Sequence, residues 1–209
     1  MDQASSVQYM PRSRGNAVTL GRWLRLLGGL FVFGLATALM IRSGLGLGPW
    51  DAFHVGLHLL TGMTVGTAAI LVGLVIVVGT WFMGVRPGVG TIANMILSGV
   101  FVDLLLPVVP HASGWAALPY HLIGIGLVGV ATGLYISPRL GIGPRDGLML
   151  ALAQRTGQPV GRVRTGIEIA VLALGWMMGG TVGVGTILFA LGIGPVTQWS
   201  LRWFGITRA

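Results

Sequence analysis

The stretch "GLGLGPWDA" at 44–52 returns as "RLGIGPRDG" at 139–147, 95 positions later. Around it, "GLATALMI" (34–41) returns as "GVATGLYI" (129–136), Thr61-Gly62 as Thr156-Gly157, Val65-Gly66 as Val160-Gly161, and "GVGTI" (88–92) as "GVGTI" (183–187). Trp81, Met83 and Gly84 match Trp176, Met178 and Gly179 at the same offset. From Gly34 to Gly99 the register holds without a gap and gives 24 identities in 66 positions. Shared apolar composition alone would not keep Gly, Pro, Asp, Thr and Trp in one register, so the chain reads as a tandem duplication.

Composition defines the solvent. Of 209 residues, 54% are apolar and 9% charged, against about 25% charged in an ordinary soluble domain. Mean hydropathy is +0.84. Apolar runs of bilayer-spanning character cover 26–41, 65–83, 91–106, 122–136, 167–178 and 186–196. The expected fold class is an all-α polytopic membrane protein of two tandem repeats, each with three spanning helices and one short re-entrant or broken helix. The organisation expected is a disordered cytoplasmic tail (1–21), a first membrane repeat (22–106), an extracytoplasmic linker (107–120), a second repeat (121–203) and a cytoplasmic tail (204–209). Ala36-Thr37-Ala38 resembles a signal-peptide cleavage site, but that segment recurs deep inside the chain and is therefore read as structural.

All thirteen basic residues are Arg, and they cluster at the ends of apolar runs. That is an orientation signal, not a nucleic-acid surface with interleaved aromatics. The chain has no cysteine, which excludes disulfides, thiolate metal sites and Cys nucleophiles. The short helices (50–60 and 145–155) fall short of a hydrocarbon core of about 30 Å. If they are re-entrant, the second repeat is inverted, and every arginine but Arg42 falls on the cytoplasmic side. If they cross, the repeats are parallel and the arginines divide nine to four. The positive-inside rule favours the inverted arrangement; hydropathy by itself leaves both open.

Within the doubled phrase, Gly44, Gly46 and Gly48 disfavour helix and permit close backbone approach. Pro49 suits the first position of a new helix, where its missing N–H is not needed. Asp51 then stands in the first turn, at the positive end of the helix dipole. Gly143, Pro144 and Asp146 repeat the pattern. Irregular backbone at membrane depth must be covered by protein or line a cavity, and matched Gly/Pro interruptions point to a transporter's central site. The expected solute or ion path therefore comprises Asp51, Asp146, Gly48, Pro49, Gly143, Pro144 and Arg145, with the two acids facing a shared pseudo-twofold axis. Simple helix capping by each Asp is the alternative, and burying an Asp costs roughly 2.5–3.5 kcal/mol on insertion scales.

Secondary candidates are Arg42, which either pairs with Asp103 or snorkels, and His54 and His58 at metal-ligand spacing. No third ligand accompanies the histidines, so no metal and no cofactor is expected. Arg164 and Glu168 form an i,i+4 surface pair. The "GVGT" turns place Thr to cap the following helix.

The doubled G-[LI]-G-P-x-D phrase, the following Thr-Gly and the "GVGT" turn resemble the YczE/YyaS/YitT family of bacterial multi-pass membrane proteins, most nearly its YczE branch. The likeness spans about 24–203 and implies a bacterial cytoplasmic-membrane protein with five or six spans and no assigned catalytic residues. From the repeat, not from the family, comes the expected function: a small-solute permease or exporter with its site between the repeats. The alternative is a non-transporting scaffold or regulatory partner of another complex. A third reading, an intramembrane enzyme, finds no Ser/His/Asp grouping, metal set or cofactor motif; two membrane Asp could support aspartyl chemistry only if the carboxylates share a proton at about 3 Å, which spacing in sequence does not show. Expected partners are the lipid bilayer, an unknown small solute or ion, and a homodimer mate or other membrane protein; nucleic acid is not among them.

Overall fold

The computed structural model describes residues 20–206, so the tail read as disordered lies almost wholly outside the described residues. Among these the chain is all helical: α1 (Leu20–Ser43), α2 (Pro49–Thr61), α3 (Val65–Phe82), α4 (Val89–Leu105), α5 (Ala117–Ile136), α6 (Pro144–Thr156), α7 (Val160–Met177) and α8 (Val184–Trp203), with a single 3-10 turn at Gly114–Ala116. Four segments are long and apolar enough to cross a membrane: α1, α3, α8, and α5 together with that turn. A helix whose surface is apolar on nearly all sides needs lipid as its solvent, and Leu74, Val75, Phe82, Ile123, Ile169, Ile187 and Leu191 are all exposed. The protein is a multi-pass helical membrane protein.

The 95-residue register of the sequence is also a register of elements. α2 and α6, α3 and α7, and α4 and α8 begin 95 positions apart. Both short helices start with Pro at N1 after an extended glycine and end on a left-handed glycine, Gly62 or Gly157. In both "GVGT" turns the Thr sits at N3 rather than at the N-cap, and its hydroxyl accepts the N–H of Gly88 or Gly183 at 3.2 Å. This reaches back over the first turn and satisfies a donor that the helix itself leaves open.

α1 and α5 form the central pair and run antiparallel. Gly29 lies against Ala131 and Tyr135, while Gly124 lies against Ala36 and Met40. Those contacts exchange under the 95-residue shift. α4 lies along α1, with Gly34 against Phe101, and α8 lies along α5, with Gly129 against Val196. Small residues at these crossings let backbones approach where lipid gives no hydrophobic drive for association. The core along the pair contains Ala36, Met40, Leu47, Val102, Ile125 and Val128, with a second cluster of Leu26, Leu30 and Tyr135.

The outer helices depart from this symmetry. α3 packs closely on α4, with Gly66 and Gly99 in backbone contact. A Cβ added at either counterpart, Gly161 or Gly194, would meet no neighbouring element within 4 Å, and α7 and α8 scarcely touch. At the closed pair Asp103 accepts from the Gly66 N–H (2.7 Å) and the Thr64 hydroxyl (2.5 Å). Gln198 and Pro159 stand at the equivalent places, and proline offers no donor.

The connection between the halves is shorter than the 107–120 expected, because α5 begins at Ala117 and carries His121 into its second turn. A Cβ on Gly29 would lie 2.7 Å from the Tyr135 backbone nitrogen, whereas Gly28 has open space. Gly29→Val is therefore expected to cost at least about 3 kcal/mol, since backbone cannot yield as a side chain does. Gly28→Ala should leave stability unchanged or raise it by up to ~1 kcal/mol. Thermal midpoints from fluorescence-detected size exclusion separate the two; equal midpoints would refute the close α1–α5 crossing.

Candidate functional site

Both interrupted segments are held by the opposite half. The Leu45 carbonyl accepts from Gly185 N–H (2.7 Å) and the Leu140 carbonyl from Gly90 N–H (2.9 Å), again a reciprocal pair. Leu47 N–H also donates to the Thr181 carbonyl (3.0 Å). Gly46 and Gly141 have φ of +113° and +147°, values that only glycine adopts without strain. Gly46 lies against Gly183 and Thr186, and Gly141 against Gly88 and Thr91. Gly48 is the N-cap of α2, packed on the Phe189 ring, and Pro49 is its first residue. Gly143 and Pro144 play the same parts in α6.

These segments bring the N-terminal ends of α2 and α6 together. Trp50 and Arg145 occupy equivalent positions, and the Arg145 guanidinium carbon lies 5.1 Å from the centroid of the Trp50 ring, within cation–π range. Residues at equivalent positions of the sequence repeat are thus in mutual contact. From there Arg145 reaches across to Asp51, with Nη2 3.8 Å from Oδ1; the Asp51 side chain is 9% exposed and that of Arg145 31%. The distance gives an ion pair without a hydrogen bond. The N-cap residues of both short helices are glycines, which offer no side-chain acceptor of their own.

The acids differ in setting. Asp51 is buried, whereas Asp146 is exposed beside the open α7–α8 gap and accepts from the Tyr135 hydroxyl at 3.4 Å. Among the described residues no hydrogen bond joins the two acids, and Arg145 of the second half pairs with Asp51 of the first. A cavity opens beside Asp51, walled by α1, α2, α3 and α4 and reached from the second half by Arg145 alone. Expected between the repeats, it lies mostly within the first. His54 lines it and is buried, as is Thr37, whose hydroxyl has no partner.

Other candidates have local tasks. His58 turns away from His54, and its Nδ1–H donates to the Met63 carbonyl (2.6 Å), closing the end of α2. Among the described residues no three His, Asp or Glu side chains converge as a metal site. Arg42 makes no ion pair with Asp103: it donates to the Leu106 carbonyl (2.9 and 2.5 Å) and contacts His111, tying the end of α1 to the linker. Arg164 and Glu168 form the expected surface pair at 2.9 Å.

His121, assigned to the linker edge by sequence reasoning, is fully buried. Its Nε2–H donates to the Gly185 carbonyl (2.8 Å), and its Nδ1 lies 3.1 Å from the Ser43 hydroxyl, which itself donates to the Met40 carbonyl (2.6 Å). It thereby fixes the end of α1 to the start of α8. The sequence signal was available: Leu26 stands at the equivalent position, and a histidine replacing a core leucine needs buried partners.

Removing one member of the Arg145–Asp51 pair leaves a charge in apolar surroundings, which costs more than removing both. Arg145→Gln is expected to destabilise by about 2 kcal/mol, and adding Asp51→Asn should restore part of the loss. A double-mutant cycle on thermal midpoints reads this coupling; strictly additive effects would show that the two charges do not interact.

Comparison with known proteins agrees with this architecture. The chain is 39% identical over 183 residues to the uncharacterized membrane protein YczE of Bacillus subtilis (strain 168), covering 86% of this chain and 85% of that one. It is 36% identical over 204 residues to an uncharacterized protein of Haemophilus influenzae, covering 94% and 93%. Uncharacterized protein YyaS of Bacillus subtilis is 30% identical over 165 residues, covering 77% and 82%. No solved structure matches. The YczE and YyaS likeness carried by the doubled motif is thus found across the chain, and residues 20–202 place it in DUF6198, a family of unknown function to which this protein belongs.

Proposed function

We propose that the protein is a small-solute permease of the bacterial cytoplasmic membrane, built from two inverted copies of a three-span unit with α2 and α6 re-entrant. The antiparallel α1–α5 pair, with contacts that exchange under the 95-residue shift, supports inversion. So do the arginines: with both termini cytoplasmic, only Arg42 lies outside. In this arrangement α7 enters from the cytoplasm, and its Arg162, Arg164 and Glu168 lie within snorkelling reach of the headgroups.

One observation carries the transport reading: equivalent helix pairs occupy unequal positions. α3 and α4 are shut over a buried Asp51, while α7 and α8 stand apart beside an exposed Asp146. An inverted repeat with one half closed and the other open is asymmetric across the membrane. Exchanging the two conformations would open the opposite face, and rocking of one repeat against the other is the usual form of alternating access. The ion pair between Asp51 and Arg145 crosses from one half to the other and would break or re-form in that exchange.

The cysteine-free chain permits unambiguous spin labelling at two equivalent exposed pairs, Thr67→Cys with Leu104→Cys and Arg162→Cys with Trp199→Cys. In lipid nanodiscs, pulsed electron paramagnetic resonance should give a short distance for the first pair and a long one for the second. A minor population with the lengths exchanged should grow as pH or solute changes. A single fixed distance for each pair under all conditions would refute alternating access and favour a static scaffold that seats a partner between α7 and α8.

A further inference from the structure

We propose that the cavity at Asp51 and Arg145 takes a small amphoteric solute, carrying an ammonium group and a carboxylate a few bonds apart; this assignment rests on the permease reading. Two opposite charges face one space from different halves of the molecule. They stand 3.8 Å apart, too far for a hydrogen bond. The Arg145 guanidinium carbon lies 5.1 Å from the Trp50 ring centroid, and Arg145 lines the cavity.

A second observation concerns Thr37. The residue lines the same cavity and is 3% exposed, and its hydroxyl has no partner among the described residues. Buried hydroxyls are ordinarily satisfied, so an unpaired one aimed into a cavity marks a place for a ligand. Ser98, whose hydroxyl donates to the Asn94 carbonyl at 2.6 Å, lines the same wall and keeps its lone pairs available.

The charge balance selects the class. A simple amine would gain Asp51 but meet Arg145 as a like charge, and a simple carboxylate would gain Arg145 but meet Asp51. A zwitterion inserted between them turns one loose pair into two charge-assisted contacts and leaves the net charge of the site unchanged. Its ammonium would donate to Asp51, and its carboxylate would accept from Arg145 and the Thr37 hydroxyl. Phe33, Val65 and Val102 supply an apolar wall for a short side chain.

Size sets the limit. The enclosed space beside Asp51 has room for roughly one water molecule, so the solute is small and enters only when the surrounding helices separate. Separation of α3 from α4, of the kind present between α7 and α8, would admit it.

Binding is measured on the full-length protein in nanodiscs by thermal shift, with tryptophan fluorescence as a second readout because Arg145 stacks on Trp50. The probes are alanine, ethylamine and propionate. Alanine is expected to bind at least ten-fold tighter than either single-charge probe. Asp51→Asn and Arg145→Gln should each weaken alanine at least ten-fold, and Glu168→Gln, on the surface, should not. Equal affinity for alanine and either single-charge probe, or no binding of alanine at millimolar concentration, would overturn the proposal without use of any variant. Alanine binding without the exchange of spin-label distances would support this site and refute the permease. Exchange without alanine binding would do the reverse.

Discussion

Every interruption of a helix inside an apolar protein leaves backbone N–H and C=O groups that lipid cannot satisfy. Here each break is completed by the other half: Leu45 of the first segment accepts from Gly185, and Leu140 of the second accepts from Gly90. The rest of the arrangement follows from this exchange. The segments must come close enough for backbone contact, which requires glycine at 46 and 141 and a compact "GVGT" turn opposite each. The α1–α5 pair sets the distance, and His121 fixes one of the two docking points from beneath. Each half supplies backbone partners to the other's break, so the duplicated units are interdependent.

On that shared frame, a few unequal side chains break the symmetry. Trp50 and Arg145 occupy one pair of equivalent positions, so the meeting point of the halves holds one cation and one aromatic face instead of two like groups. Two arginines there would repel; an arginine over a tryptophan attracts. Asp103 with Thr64 and the Gly66 N–H latch the first half shut, and their counterparts Gln198 and Pro159 do not reproduce the latch. Asp51 is buried and Asp146 exposed as a consequence, although the two residues share one motif.

The duplication, the positions of the breaks and the six long helices were legible because each rests on local constraints: glycine, proline and apolar runs at fixed spacing. The contact of the two broken segments was legible in outline, since matched interruptions have to cover one another. The finer pairing was not. The pairing the structure shows is Asp51 with Arg145, whose guanidinium also lies near the Trp50 ring at the equivalent position. Arg42 looked like an interfacial charge, yet a carbonyl at the frayed end of α4 and a linker histidine were nearer partners. His121 was obscured by the polar linker before it. The opening of α7 from α8 could not be read from the motifs, because Gly161 and Gly194 are present as in the closed pair; only the exchange of Asp103 for Gln198 and Thr64 for Pro159 hints at it.

The proposed inversion has one direct test. Thr61 and Thr156 are equivalent, exposed residues at the ends of α2 and α6, and the chain has no native cysteine to confuse labelling. Thr61→Cys and Thr156→Cys, each introduced alone, are reacted with a membrane-impermeant maleimide on sealed right-side-out and inside-out vesicles. Labelling of Thr61→Cys from the outside and of Thr156→Cys from the cytoplasmic side is the expected result. Labelling of both from the same side would contradict the inverted pairing and, with it, the permease built on it.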